Sequence, residues 1–187
     1  MNSDKGSALS QGAAENRRGT RRRVAPAADW SIAPAQVLTR YAERGVFRSF
    51  TAFPRTGSRA AFCMRWHKDR YFDFIVDGTL KTIRVPVVLP NVAPRSTMHR
   101  EYRQFLDGFQ NGELPVHRSI DPRKCFLKCM NRLGSLSVAV EVRDGDYAYA
   151  TEKLLAIIHE TYLLFLQLGG YADYMVQHLG ANPDWGK

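Results

Sequence analysis

The residues able to do chemistry in this chain are 3 cysteines, 5 histidines and a scatter of carboxylates and arginines. Cys125 and Cys129 stand four apart. Zinc sites favour Cys-x-x-Cys at a turn with a second ligand pair nearby, and no second pair exists here. Core packing is the reading that suits these small apolar thiols. His159-Glu160 begins like the zinc-protease motif His-Glu-x-x-His, but Leu163 stands where the second histidine is required, so the motif fails. His67, His99, His117 and His178 fall on separate predicted elements without ligand spacing and read as surface or edge histidines.

Motifs for phosphate and acyl chemistry fail on the same test. Gly169-Gly170 follows a helical pattern instead of opening one, so it reads as a helix stop. No Gly-x-Ser-x-Gly elbow occurs. Asp69, Asp73, Asp77, Glu141, Asp144 and Asp146 offer carboxylates for acid–base work, yet most fall in predicted turns, where aspartate serves turn geometry. No catalytic residue, cofactor or metal ligand is assigned, and an enzyme is the last of three function classes. The densest polar group inside the fold is the loop from His117 to Lys124. His117, Arg118, Arg123 and Lys124 either hold an anion there or belong to a solvated loop.

The chain of 187 residues is long enough for one domain with a real core, and an apolar fraction of 44% is that of a folded protein. The formal charge of +9 raises the expectation of an anionic partner without bearing on fold. Residues 1–28 hold six basic residues against Asp4 and Glu15, a net +4, and have one leucine and one valine as their only large aliphatics. Such a segment buries too little surface to offset the entropy of ordering, so a disordered, dispensable basic tail is expected ahead of a single domain at 29–187. Its acidic residues argue against an organelle transit peptide. Arg17, Arg18, Arg21, Arg22 and Arg23 either bind nucleic acid or keep the tail solvated. An odd number of cysteines with no secretory signal reads as reduced thiols in the cytoplasm. The most apolar run, Leu154 to Leu168, contains His159 and Glu160 and is too short to span a membrane.

These side chains are positioned by elements legible in the hydrophobic pattern. Ser31, Pro34, Val37, Leu38 and Tyr41 predict a first helix that stops at Gly45. Val46 to Phe53 is either a short strand or a packed loop. Three strands follow, at Ala60–His67, Tyr71–Val76 and Leu80–Leu89, with Asp77-Gly78 as the strongest hairpin signal. Ile83, Val85, Val87 and Leu89 alternate, and Pro86 places that end at a sheet edge or beyond the sheet. Met98, Tyr102, Phe105, Leu106 and Phe109 form one helical stripe after a cap at Ser96 or Thr97, with Asn111-Gly112 as its stop. A hairpin follows, Cys125–Met130 and then Leu136 to Arg143. From about Tyr149 the period becomes helical, with Leu154, Leu155, Ile158, Tyr162, Phe165 and Leu166 on one side. A short helix with Tyr171, Tyr174, Met175 and Leu179 on its apolar side ends at Gly180. The class is therefore α+β, an antiparallel sheet of about five strands with helices packed on one face.

Alternation then separates the two faces of the sheet. Phe62, Met64, Trp66, Phe72, Phe74, Val76, Val138 and Val140 are expected to face the core, under Leu155, Ile158, Tyr162 and Phe165. Cys63, Arg65, Tyr71, Asp73, Ile75, Ala139 and Glu141 then point outward. If Cys125, Leu127 and Cys129 face in, Phe126, Lys128 and Met130 face out. Tyr71, Ile75, Phe126, Lys128 and Met130 form the expected partner-binding set, because apolar groups among charges suit a contact surface.

The order helix, β-meander, helix, hairpin, helix resembles the type III secretion chaperone-like fold, and in particular the YbjN-type proteins. The resemblance covers roughly Pro34 to Leu179 and rests on element order and on the passage Cys125 to Leu168. It transfers no site residue. It implies a non-catalytic, partner-binding and often dimeric domain. The alternative from another class is a nucleic-acid-binding protein that uses the arginine-rich tail and the basic 117–128 region, with Arg65-Trp66 and Arg70-Tyr71-Phe72 available for base stacking.

Overall fold

The computed structural model describes residues 30–168 and 171–180. The expected tail at 1–28 with its Arg17–Arg23 cluster, the Gly169-Gly170 break and the polar end at 182–187 lie outside the described residues, as do the side chains of Met175, His178 and Leu179. Helix α1 (Ile32–Glu43) leads into four strands, β1 (Ser49–Ala52), β2 (Arg59–Trp66), β3 (Arg70–Asp77) and β4 (Thr82–Leu89). Helix α2 (Thr97–Asp107) precedes β5 (Cys125–Arg132) and β6 (Ser135–Val142). Helix α3 (Tyr147–Glu160) continues through a π-helical stretch at Thr161–Phe165 into α4 (Leu166–Leu168), and α5 (Tyr171–Leu179) follows.

The six strands make one antiparallel sheet in the order β1-β2-β3-β4-β6-β5. The segment left open between strand and loop is thus the sixth strand, β1, paired with β2 from Ser49↔Arg65 to Ala52↔Phe62. After β4 the chain crosses through α2 to the far edge as β5 and returns as β6 between them.

At its Pro86 end strand β4 runs past its registered pairing with β3, as the missing N–H implies, although the strand as a whole is internal, between β3 and β6. The missing proline N–H is accommodated by loosening the ladder: register with β3 runs only over Thr82–Arg84, and register with β6 shifts between Val85 and Leu89. The irregularity also breaks the simple alternation. Val87 is exposed, while Val88 and Leu89 are both buried.

Turns and caps follow local chemistry. The Asp77-Gly78 hairpin has a longer connection than the signal implied, because Asp77 Oδ1 accepts from the N–H groups of Thr79 (3.0 Å) and Leu80 (2.9 Å) and folds the chain around itself. Gly78 is required there for space. A Cβ at that position would lie 2.4 Å from the Trp30 ring. The β5–β6 turn is tight, with Leu133 (φ 49°) and Gly134 (φ 81°) both left-handed. Ser96 Oγ caps α2 on His99 N–H at 3.2 Å, and Asp146 caps α3 on Tyr149 N–H at 3.0 Å. Helix α2 ends at Asp107, a turn before Asn111-Gly112, and Phe109 still packs in the core from the loop.

All eight predicted core-face strand residues are buried, and so are Leu155, Ile158, Tyr162 and Phe165 above them. Val37 and Leu38 of α1 and Met98, Tyr102 and Leu106 of α2 join the same cluster, so the helices share one side of the sheet. The π-helical stretch begins where the Thr161 hydroxyl donates to Ile157 O at 2.8 Å, inside the helix's own ladder. Thr161 Oγ1 also lies 3.2 Å from the fully buried Tyr102 hydroxyl, which therefore donates to it. No helix among the described residues is long and apolar enough to cross a membrane.

Candidate functional site

The face of the sheet opposite the helices carries the expected partner-binding residues. Cys125 and Leu127 are buried on the inner face and Cys129 is half-buried, which sends Phe126, Lys128 and Met130 outward along the edge strand β5. Ile75 shares a row with Lys128 through the register Ile75↔Arg84, Arg84↔Ala139 and Ala139↔Lys128. Three strand spacings separate the two ends of that row, about 14 Å. Tyr71, 67% exposed, lies farther along β3 opposite Arg65. The five residues therefore share a face without forming one compact patch, because β4 and β6 stand between them.

Arg84 occupies the middle of that row and makes no ion pair or side-chain hydrogen bond among the described residues. Ala139 faces outward by alternation, yet it is buried between its registered neighbours Arg84 and Lys128. Lys128 pairs with Glu141, whose carboxyl that contact holds below its usual range. The Arg143 guanidinium sits 5.0 Å from the centre of the Phe126 ring. The Cys63 thiol is raised by burial and by its hydrogen bond with Asp73.

The free side of β5 is partly closed. Gln110 behaves as a short substitute strand: its Nε2 donates to Leu127 O (3.2 Å) and its Oε1 accepts from Leu127 N–H (2.7 Å). Cys125 N–H donates to Asp121 O at 3.1 Å. This is a natural way to blunt an edge that otherwise invites pairing with another chain.

The basic loop is placed beside α3, and its charges meet carboxylates. Arg118 grips Glu160 through both carboxylate oxygens, with Nε at 3.2 Å from each. Arg123 pairs with Asp121 at 3.2 Å, and Lys124 with Asp146 at 2.8 Å. The carboxyls of Asp121 and Asp146 are held below their usual range first by these hydrogen bonds. His117 contributes its carbonyl, which accepts from Lys153 Nζ at 2.8 Å. Lys124 and Lys153 both lie over the Tyr149 ring, at 4.8 and 5.4 Å, in an open depression of about 720 Å³. Burial lowers the Lys153 ammonium below its ordinary value.

One constellation escaped the sequence reading. His67, in the β2–β3 connection, and His159, near the end of α3, approach with Nε2 and Nδ1 3.2 Å apart. His67 stacks on Tyr162 (4.7 Å, 3°) and lies 4.2 Å from the Trp66 ring, and His159 stacks on Trp66 (5.9 Å, 5°). Tyr162 is itself fixed, donating to Val88 O at 3.0 Å and meeting Arg70. Burial, and then His159 beside it, lower the His67 pKa to about 4. Ninety-two positions separate the two histidines, and each follows an inward-facing core residue, Trp66 or Ile158. That flanking position was the one available signal. No group of three or more His, Cys, Asp or Glu able to hold a metal occurs among the described residues.

Comparisons with family models, curated proteins and solved structures found no match to this chain.

Proposed function

We propose that the chain is a non-catalytic protein- or peptide-binding module, chaperone-like or regulatory, that acts as a homodimer in the cytoplasm and takes its partner on the open face of the sheet. The observation that carries this reading is the one-sided covering: α1, α2 and α3 all pack on the inner face, and no described element covers the outer one. Tyr71, Ile75, Phe126 and Met130 stand there among Arg84, Lys128 and Glu141, the mixture that a polar-rimmed contact surface uses. The observed order of elements supports the likeness to type III secretion chaperone-like, YbjN-type proteins. Three free thiols accord with a reducing compartment. In the 117–128 half of the nucleic-acid alternative, Arg118, Arg123, Lys124 and Lys128 each face a carboxylate and have less free charge to offer phosphates, while its Arg17–Arg23 half lies outside the described residues.

Size-exclusion chromatography with light scattering tests the reading. The parent chain is expected to elute as a dimer, and Phe126→Glu and Ile75→Glu as folded monomers by circular dichroism. A monomeric parent removes the dimer, and two variants that keep the parent's oligomer remove this face as its interface.

A further inference from the structure

The His67–His159 pair has the spacing of two ligands on one metal ion. We propose that it is a binding site for a borderline-soft divalent cation of the zinc class, joining the β2–β3 connection to the end of α3. Zinc–imidazole bonds are about 2.0–2.1 Å, so two nitrogens on a tetrahedral zinc stand about 3.3–3.4 Å apart. His67 Nε2 and His159 Nδ1 are 3.2 Å apart, within about 0.2 Å of that separation. Imidazole nitrogen selects zinc, copper or nickel over magnesium and calcium, which demand oxygen ligands that this pair does not offer.

The proton inventory closes without an added base. In the pair as it stands, one ring N–H donates to the other ring's lone pair. Binding the cation moves that proton to the far nitrogen of its own ring. Both imidazoles stay neutral, with N–H groups at His67 Nδ1 and His159 Nε2, and both facing nitrogens present lone pairs to the metal.

The ligands are also held in place. Trp66 and Tyr162 stack against the rings, and the Tyr162 hydroxyl is tied to the Val88 carbonyl, so neither imidazole has far to turn. Asp69, two residues from His67, is engaged by Arg48 at 2.7 Å and Arg65 at 3.5 Å. The protein thus supplies two ligands, and water or a small donor molecule fills the remaining positions. His159 is exposed, which gives the ion its route in. The site stands apart from the open sheet face, so it does not depend on the partner-binding reading.

The test titrates zinc chloride into the chelator-stripped full chain at neutral pH by calorimetry, with histidine-ring NMR alongside. One zinc per chain is expected, with the His67 and His159 signals moving together. His159→Gln, at an exposed position, should weaken uptake by about tenfold or more, and His67→Gln/His159→Gln should abolish it and the accompanying rise in thermal midpoint. His99 and His117 remain in every variant as internal controls. Absence of saturable uptake overturns the proposal. So does uptake that the double variant retains, or zinc that moves the other histidine signals instead.

Discussion

Val138→Asp and Phe126→Glu place the same kind of charge on adjacent strands, one on each face of the sheet. Val138 is 0% exposed, between Val85 and Cys129 in register. Losing its two methyl groups costs about 1.5 kcal/mol at about 0.8 kcal/mol per buried carbon. The new carboxyl must also stay neutral or be buried charged. Raising its pKa from about 3.9 to 7 costs about 4 kcal/mol at 1.36 kcal/mol per unit, and burying the charge costs at least as much. The sum, about 5–6 kcal/mol, approaches the whole stability of an ordinary domain. Phe126 is already 37% exposed. Its substitution removes the covered part of the ring, about 1–2 kcal/mol, and the Arg143 contact, about 0.5–1 kcal/mol. A carboxylate opposite Glu141 repels it, while Arg143 and Lys128 attract it. The net loss is about 2 kcal/mol, close to 1 M in urea midpoint for a typical slope. Urea unfolding followed by circular dichroism should show no folded baseline for Val138→Asp and a shifted, cooperative transition for Phe126→Glu. Equal losses in the two variants would refute the assignment of faces.

Leu133 is fully exposed and left-handed in a two-residue hairpin turn, a conformation that asparagine tolerates better. Leu133→Asn should therefore stabilise by about 0.5–1 kcal/mol and raise the thermal midpoint by about 2–3 °C, read by calorimetry; an unchanged or lower midpoint counts against strain at this turn. The Asp77 carboxyl is held below its usual range, first by the Leu80 N–H and then by Arg59. Its folded pKa is thus below the unfolded one, so its contribution is present above pH ~3.9 and is lost as pH falls through the folded value. Asp77→Asn should cost about 1 kcal/mol at neutral pH, with the two stability curves converging in acid; a constant gap would exclude the charge as the cause.

Much of this architecture was written in local pattern. A period of two put Phe62, Met64, Phe72, Phe74 and Val138 on one side of their strands, and a helical stripe set Leu155, Ile158 and Tyr162 to cover them. Side-chain alternation is a property of the chain itself, so the core and its opposite face follow from sequence once each strand is located. Ser96 and the hairpin signals were legible for the same reason, since caps and turns act within a few residues. Other features depended on neighbours far along the chain. Whether Ser49–Ala52 is a strand was settled by β2 being free to pair with it. The missing N–H of Pro86 told that regular pairing lapses there, but not that β4 as a whole runs between β3 and β6. The charges of Arg118 and Lys124 looked available until the loop folded against α3 and Asp146, while Arg123 meets Asp121 within the loop itself. The meeting of His67 with His159 was invisible because their rings approach only when α3 packs across the end of β2. Spacing along a chain reports contacts inside one element; contacts between elements are set by how their buried faces fit together.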